Sequence, residues 1–154
     1  MQVQFEKLAS NCVINPVSAI LGCRNGELLY AGAAQLVRLL LAEISLVIRS
    51  LPELQSVPGI ENRFGPAALE RNARDLMKKT AENRSSMLQD IDRKRITEID
   101  YLNGYIFKRG ELLGIRSMVN YTVKSMVSAK SLLSRNESLA DIPLADNDID
   151  SMDT

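Results

Sequence analysis

Apolar residues recur at helical spacing along nearly all of this 154-residue chain, and no stretch alternates as a half-buried strand does. That pattern confines the fold to the all-α class, and the breakers between periodic segments set the helix limits. A first helix is expected from about Phe5 to Leu21, stopping near Gly22, with a turn at Asn25-Gly26. A second follows from about Leu28 to Leu51. Its Leu36, Leu39, Leu40, Ala42, Leu46 and Val47 leave few polar positions, so it should be largely buried. Residues 52–65, "PELQSVPGIENRFG", read as a loop, and Pro66 suits the first position of a third helix reaching about Glu82. Ser86-Met87-Leu88-Gln89 has the form of a capping box for a short helix to about Asp92. Thr97 can cap a helix from Glu98 to Leu113 that Gly114 ends, and a last helix spans about Val119 to Leu133. Six helical segments with short connections make a bundle.

Aromatic residues are only 5% of the chain and Trp is absent, so the core must be aliphatic. The formal net charge is zero but unevenly spread. All 19 Lys and Arg lie at or before Arg135, together with 13 of the 19 acids, so residues 1–135 carry +6 and residues 136–154 carry −6. The composition divides the chain into one helical domain, 1–135, and an acidic tail, 136–154, expected to be disordered. A diffuse +6 suits an anionic small molecule and gives no case for nucleic acid. Histidine is absent, which removes Ser-His-Asp and Cys-His catalysis and most zinc sites, and no metal site is expected. Acid–base work must then fall to Lys, Glu, Asp, Tyr or Cys. Cys12 and Cys23 fit no metal or redox spacing and read as buried free thiols of a reducing compartment. "MQVQFEKLAS" has no continuous apolar region, so a signal peptide is not expected, and Arg38, Glu43 and Arg49 interrupt the most apolar segment. A membrane span is therefore not expected, and the cytoplasm is the expected location.

The first helix is unusual in its choice of polar residues. At about 100° per residue, with Lys7 at the origin, Asn11, Asn15 and Ser18 fall near 40°, 80° and 20°. A solvated face is one reading of this arc. Such faces carry long charged side chains, however, and the remaining positions are densely apolar, so amides and a lysine lining a half-buried cleft fit better. Pro16 adds to this. It cannot donate to the carbonyl of Cys12, and a kink beside Asn15 is expected.

A second constellation lies in "SSMLQDIDRKRITEIDYLNGY", 85–105. Ser85 and Ser86 stand at a helix start, where a carboxylate can be held or the helix merely capped. Glu98 falls in the first turn of the next helix, where pairing with the helix dipole is the plain reading. Arg93, Lys94 and Arg95 form a basic patch, solvated or phosphate-binding, and Tyr101 and Tyr105 are at packing distance on one face.

"KLASNCVINPVSAILGCRNGEL" (7–28) and "NRSSMLQDIDRKRITEIDYLNGY" (83–105) together resemble the C-terminal domain of ketopantoate reductase, 2-dehydropantoate 2-reductase, over roughly residues 3–130. The resemblance implies an all-α fold of the 6-phosphogluconate dehydrogenase C-terminal type. It also implies NADPH-dependent reduction of 2-dehydropantoate to pantoate in pantothenate biosynthesis. By the same resemblance Lys7 is the catalytic lysine and general acid, and Asn11, Asn15 and Asn25 are active-site amides. Ser86 and Glu98 are substrate contacts, with Glu98 positioning a hydroxyl or the lysine, and Asn83 is a further polar contact.

Two departures from the family pattern stand out. In "GIRSMVN" (114–120), Met118 occupies the place of a common proline, which puts a local turn in doubt. The family also sets a Rossmann domain with a G-x-G-x-x-G loop before the lysine, and none of the eight glycines here forms that loop. The expectation is a substrate half without its dinucleotide-binding half, as an isolated domain, a truncated gene product or part of a split protein, inactive alone. A related 2-oxo acid reductase and a non-catalytic association module are the rival readings. A homodimer through the second helix is a further expectation.

Overall fold

The computed structural model describes residues 2–135, and the acidic tail, 136–154, lies outside the described residues. Seven α-helices, all joined without a strand among the described residues, bear out the all-α expectation. They are α1 (Gln2–Leu21), α2 (Ala31–Arg49), α3 (Ile60–Arg63), α4 (Pro66–Lys79), α5 (Ser86–Asp92), α6 (Asn103–Leu112) and α7 (Met118–Arg135). Short 3-10 turns occupy Asn25–Leu29, Pro52–Leu54 and Ile99–Tyr101. α1 runs through the middle, packed on α2, α4, α5 and α7, while α6 lies against α7 and α2. Its Ala9, Cys12, Val13, Ile14, Val17 and Ala19 are buried against Leu40, Leu41, Ile44, Val47 and Ile48 of α2 and against Leu69, Ala73 and Met77 of α4. The core is aliphatic, as the composition requires, with Phe64 as its large aromatic member.

Several boundaries differ from the periodicity. The expected loop 52–65 is a folded connection, because Leu54, Ile60 and Phe64 point into the core and the Ser45 hydroxyl donates to the Phe64 carbonyl at 2.6 Å. The expected helix 98–113 is broken at Leu102 (φ −100°, ψ −98°) into a 3-10 turn and α6. Ile99, Leu102, Asn103 and Ile106 stay buried across the break, so the apolar spacing carries no sign of it. α2 is less buried than expected. Leu39 and Leu46 remain 47% and 46% exposed, on an outer stripe shared with Ala42. Cys12 is fully buried, which pushes its thiol pKa far up, and Cys23 is half-buried. No described helix is long and apolar enough to cross a membrane.

Pro16 sits inside α1 without ending it. Its missing N–H deprives the Cys12 carbonyl of the donor that an α-helix would supply. The Asn103 amide takes that place, donating from Nδ2 to Cys12 O at 2.8 Å. The same nitrogen donates to Asn120 Oδ1 at 3.0 Å, and both asparagines are fully buried. Asn120 Nδ2 in turn donates to the Glu43 carboxylate at 2.8 Å, and Glu43 also accepts the backbone N–H groups of Val119 and Asn120, each at 2.9 Å. Glu43 thereby caps α7 from the side and complements its dipole. The expected doubt at Met118 resolves here: Met118 is the first residue of α7, a position where proline and other residues serve equally.

Replacing Asn103 by Ala strands the Cys12 carbonyl and the Asn120 amide in the core and should cost about 2–4 kcal/mol in urea unfolding. Pro16→Ala restores an N–H facing Cys12 O, so N103A should cost clearly less in that background. Strict additivity of the two substitutions would contradict the assignment.

Candidate functional site

α1 ends in a Schellman-type turn: Gly22 takes φ +66°, and the Cys23 N–H reaches back to the Ser18 carbonyl at 3.2 Å. The chain folds back along α1 and meets the loop after α4. Asn25 N donates to Asn83 O and Gly26 N to Ala81 O, each at 3.0 Å. Contact is close enough that a Cβ on Gly26 would lie 2.7 Å from that of Ala81, so the turn needs glycine there for room. These bonds help hold three pieces of chain, α1, the turn at Asn25 and the run 76–86, around one cleft of about 250 Å³. Asn11, Ile14 and Asn15 of α1 form one wall, and Asn25, Leu76, Thr80, Asn83, Arg84, Ser85 and Ser86 complete it.

The cleft is rich in unused hydrogen-bonding groups. Asn11 and Asn15 are half-buried and Asn83 and Ser86 exposed, and their side chains make no hydrogen bond among the described residues. Asn25 is buried. Its Nδ2 donates to Thr80 Oγ1 at 3.0 Å, while the Thr80 hydroxyl donates to Leu76 O at 2.7 Å. Thr80 has spent its proton, so the Asn25 nitrogen must face it, and Asn25 Oδ1 is left buried without a partner. A buried amide oxygen of this kind is costly unless a ligand or water satisfies it.

The capping box is shifted by one residue. Ser85, not Ser86, is the N-cap of α5, its Oγ accepting from Leu88 N at 3.2 Å. Gln89 Nε2 bonds to the Arg84 carbonyl at 3.0 Å instead of returning to the cap. Ser86 is thus free to face the cleft. Ser18, the fourth member of the polar arc, is buried and bonded to Ser85 Oγ at 2.7 Å, which clamps α1 to the start of α5.

Lys7 lies two turns before Asn15 in an adjoining hollow with Val3, Glu6, Ser10, Asn72 and Leu76, and Leu76 is the wall common to both. Its neighbour Glu6 is held by Arg63, which keeps that carboxyl below the usual range by hydrogen bonding. Lys7 forms no ion pair or hydrogen bond among the described residues and is exposed. Glu98 is not brought in: it is exposed at the start of the Ile99–Tyr101 turn and lines neither hollow. Tyr101 and Tyr105 flank a different hollow, with Gln4, Phe5 and Leu8. Arg93, Lys94 and Arg95 are exposed away from the cleft. Thr80 and Arg84 are cleft residues the sequence reading missed, and Ser85 entered it only as one of a serine pair able to hold a carboxylate or cap the helix. Thr80 carried no local signal, since its role comes from a partner 55 positions away.

The same all-α bundle occurs in solved structures of other proteins. A D-mandelate dehydrogenase solved with NADH and anilino(oxo)acetate shares the fold, with a TM-score of 0.72 at 23% identity over 84% of this chain and 40% of that one. A PanE/ApbA family ketopantoate reductase from Ralstonia eutropha JMP134 aligns with a TM-score of 0.68 at 27% identity, over 85% and 41%. The chain belongs to the ketopantoate reductase C-terminal family: the family model "Ketopantoate reductase PanE/ApbA C terminal" matches residues 1–131. The 2-dehydropantoate 2-reductase of Escherichia coli O157:H7 is 38% identical over 130 residues, and that of Vibrio cholerae 35% over 119. The chain spans 38% and 37% of their lengths while 82% and 77% of it is matched.

Gly26→Ala should destabilise the protein by about 1–3 kcal/mol through the clash with Ala81, measured by chemical denaturation. Adding Ala81→Gly should return part of the loss. An unchanged midpoint in G26A would contradict the close approach.

Proposed function

We propose that this chain is the substrate-holding and proton-donating part of an NADPH-dependent 2-dehydropantoate 2-reductase. The observation that carries the reading is the convergence of Asn11, Asn15, Asn25, Asn83 and Ser86, from three separate segments, on one cleft beside Lys7. A non-catalytic module would have no need to gather four uncommitted polar side chains and the unpartnered oxygen of Asn25 in this way. The amides of Asn11 and Asn15 would hold substrate oxygens and orient Lys7. Asn25 Oδ1 would accept from a substrate hydroxyl, and Ser86 and Asn83 would donate to the acid end. Lys7 would give its proton to the oxygen on which negative charge develops as the ketone is reduced. Glu98 enters as a positioning group only when the remaining part of the enzyme is in place.

The hydride comes from a dinucleotide that this chain does not itself hold. No G-x-G-x-x-G loop occurs in the sequence, and no strand occurs among the described residues to carry one. A cytoplasmic setting belongs to the same reading, as does self-association through the exposed stripe Leu39, Ala42 and Leu46 of α2. A reductase for another 2-oxo acid is the second reading, and the substrate panel below separates the two.

Joined to the dinucleotide-binding part of the Escherichia coli relative, the chain should oxidise NADPH with 2-dehydropantoate in preference to other 2-oxo acids. Lys7→Ala should then lower kcat by roughly 10²–10⁴-fold. The 154-residue chain alone should show no turnover. Turnover by the chain alone, or full activity in K7A, would contradict the proposal.

A further inference from the structure

Ser18 and Ser85 form a hydroxyl pair that the site as assigned so far does not use. Ser18 Oγ lies 2.7 Å from Ser85 Oγ and 3.1 Å from the Asn15 carbonyl, yet a serine has one proton to give. Ser85 Oγ already accepts from Leu88 N. Two proton arrangements therefore satisfy the pair. In the closed one, Ser18 donates to Asn15 O and Ser85 donates to Ser18. In the open one, Ser18 donates to Ser85, and the Ser85 proton is free for an acceptor in the cleft that Ser85 lines. The Asn15 carbonyl belongs to the helix ladder and keeps a backbone donor in either case. No heavy atom needs to move, and the Leu88 bond to the cap persists throughout.

We infer that Ser85 is a further binding residue for a hydroxy or oxo acid in this cleft, its hydroxyl turning from Ser18 to the ligand's carboxylate as Ser18 turns from Asn15 to Ser85. A second observation points to the same class of ligand. Asn25 Oδ1, on the same cleft, is buried and lacks a donor, so a ligand that offers a hydroxyl as well as an anionic oxygen meets both needs. Ser18 is a positioning residue in this scheme. It sustains Ser85 as a donor without touching ligand, and donation from Ser18 strengthens the bond that Ser85 makes.

The inference rests on the cleft being the acid site proposed above, and titrations of the 154-residue chain, followed by NMR, test the two separately. The probes are pantoate and L-lactate. Ser85→Asp keeps an N-cap acceptor for Leu88 but has no proton to give and repels a carboxylate, so pantoate affinity should fall roughly tenfold or more, and the uncharged Ser85→Ala separates the lost proton from the added charge. Ser85→Ala should lose affinity to a similar extent, and Ser85→Thr, which keeps the hydroxyl, should bind within about threefold of the parent. Parent-like pantoate binding by S85D and S85A would overturn the inference and leave the proposed function standing. Binding of L-lactate but not pantoate, with the same dependence on Ser85, would overturn the substrate reading and support the inference. Binding of neither acid would overturn both.

Discussion

The rest of the structure depends on how one missing hydrogen-bond donor is replaced. Pro16 takes the N–H away from the Cys12 carbonyl in the middle of α1, the most buried helix of the bundle. A free carbonyl at that depth would cost about 1–3 kcal/mol. Asn103 supplies the donor from α6, Asn120 joins it from α7, and Glu43 of α2 closes the series while capping α7. Four helices are thus held in register by polar groups that would be expensive to separate. An aliphatic core with one large aromatic ring has little shape of its own to dictate a unique packing, so this network gives the bundle a directional element.

With that side of α1 fixed to α6, its other side is free for the cleft. Asn11 and Asn15 face α4 and the two loops, and the Ser18–Ser85 bond sets the separation of α1 from α5. The Asn25–Asn83 and Gly26–Ala81 backbone bonds complete the wall. Polar side chains without protein partners are tolerated here because solvent or ligand reaches them. Asn25 Oδ1 is the exception: like Asn103 Oδ1 and Ser117 Oγ it is buried without a partner, and it alone of the three belongs to a residue lining the cleft.

Much of this was legible in the sequence because it depended on local periodicity. The helix content followed from apolar spacing, and the polar arc on α1 from a fixed angle per residue. What was not legible depended on partners far along the chain. Ser85 and Ser86 are equally good caps by composition, and only Ser18, 67 positions away, decides between them. The break at Leu102 preserves the helical burial pattern and is silent in sequence. Leu39 and Leu46 look like core residues, and apolar spacing alone does not tell that they lie on the outer side of α2. Glu43 read as a charge interrupting an apolar helix, whereas it is the cap of a helix that begins some 75 residues later. Asn103 and Asn120 lay within or beside the family-like motifs, yet nothing local distinguished their core role from the cleft role of Asn11 and Asn15.

The central claim is that the asparagine cleft, and not another hollow of the bundle, receives a hydroxy acid. The most direct measurement is an NMR map of side-chain amide and backbone signals of the 154-residue chain as pantoate is added. The account predicts that the side-chain amides of Asn11, Asn15 and Asn25 shift first and together, with Ser86 and Lys7 following and the buried Asn103 and Asn120 amides unmoved. Shifts centred instead on Tyr101 and Tyr105, or on Phe107 and Met118, with the three asparagines unchanged, would contradict it.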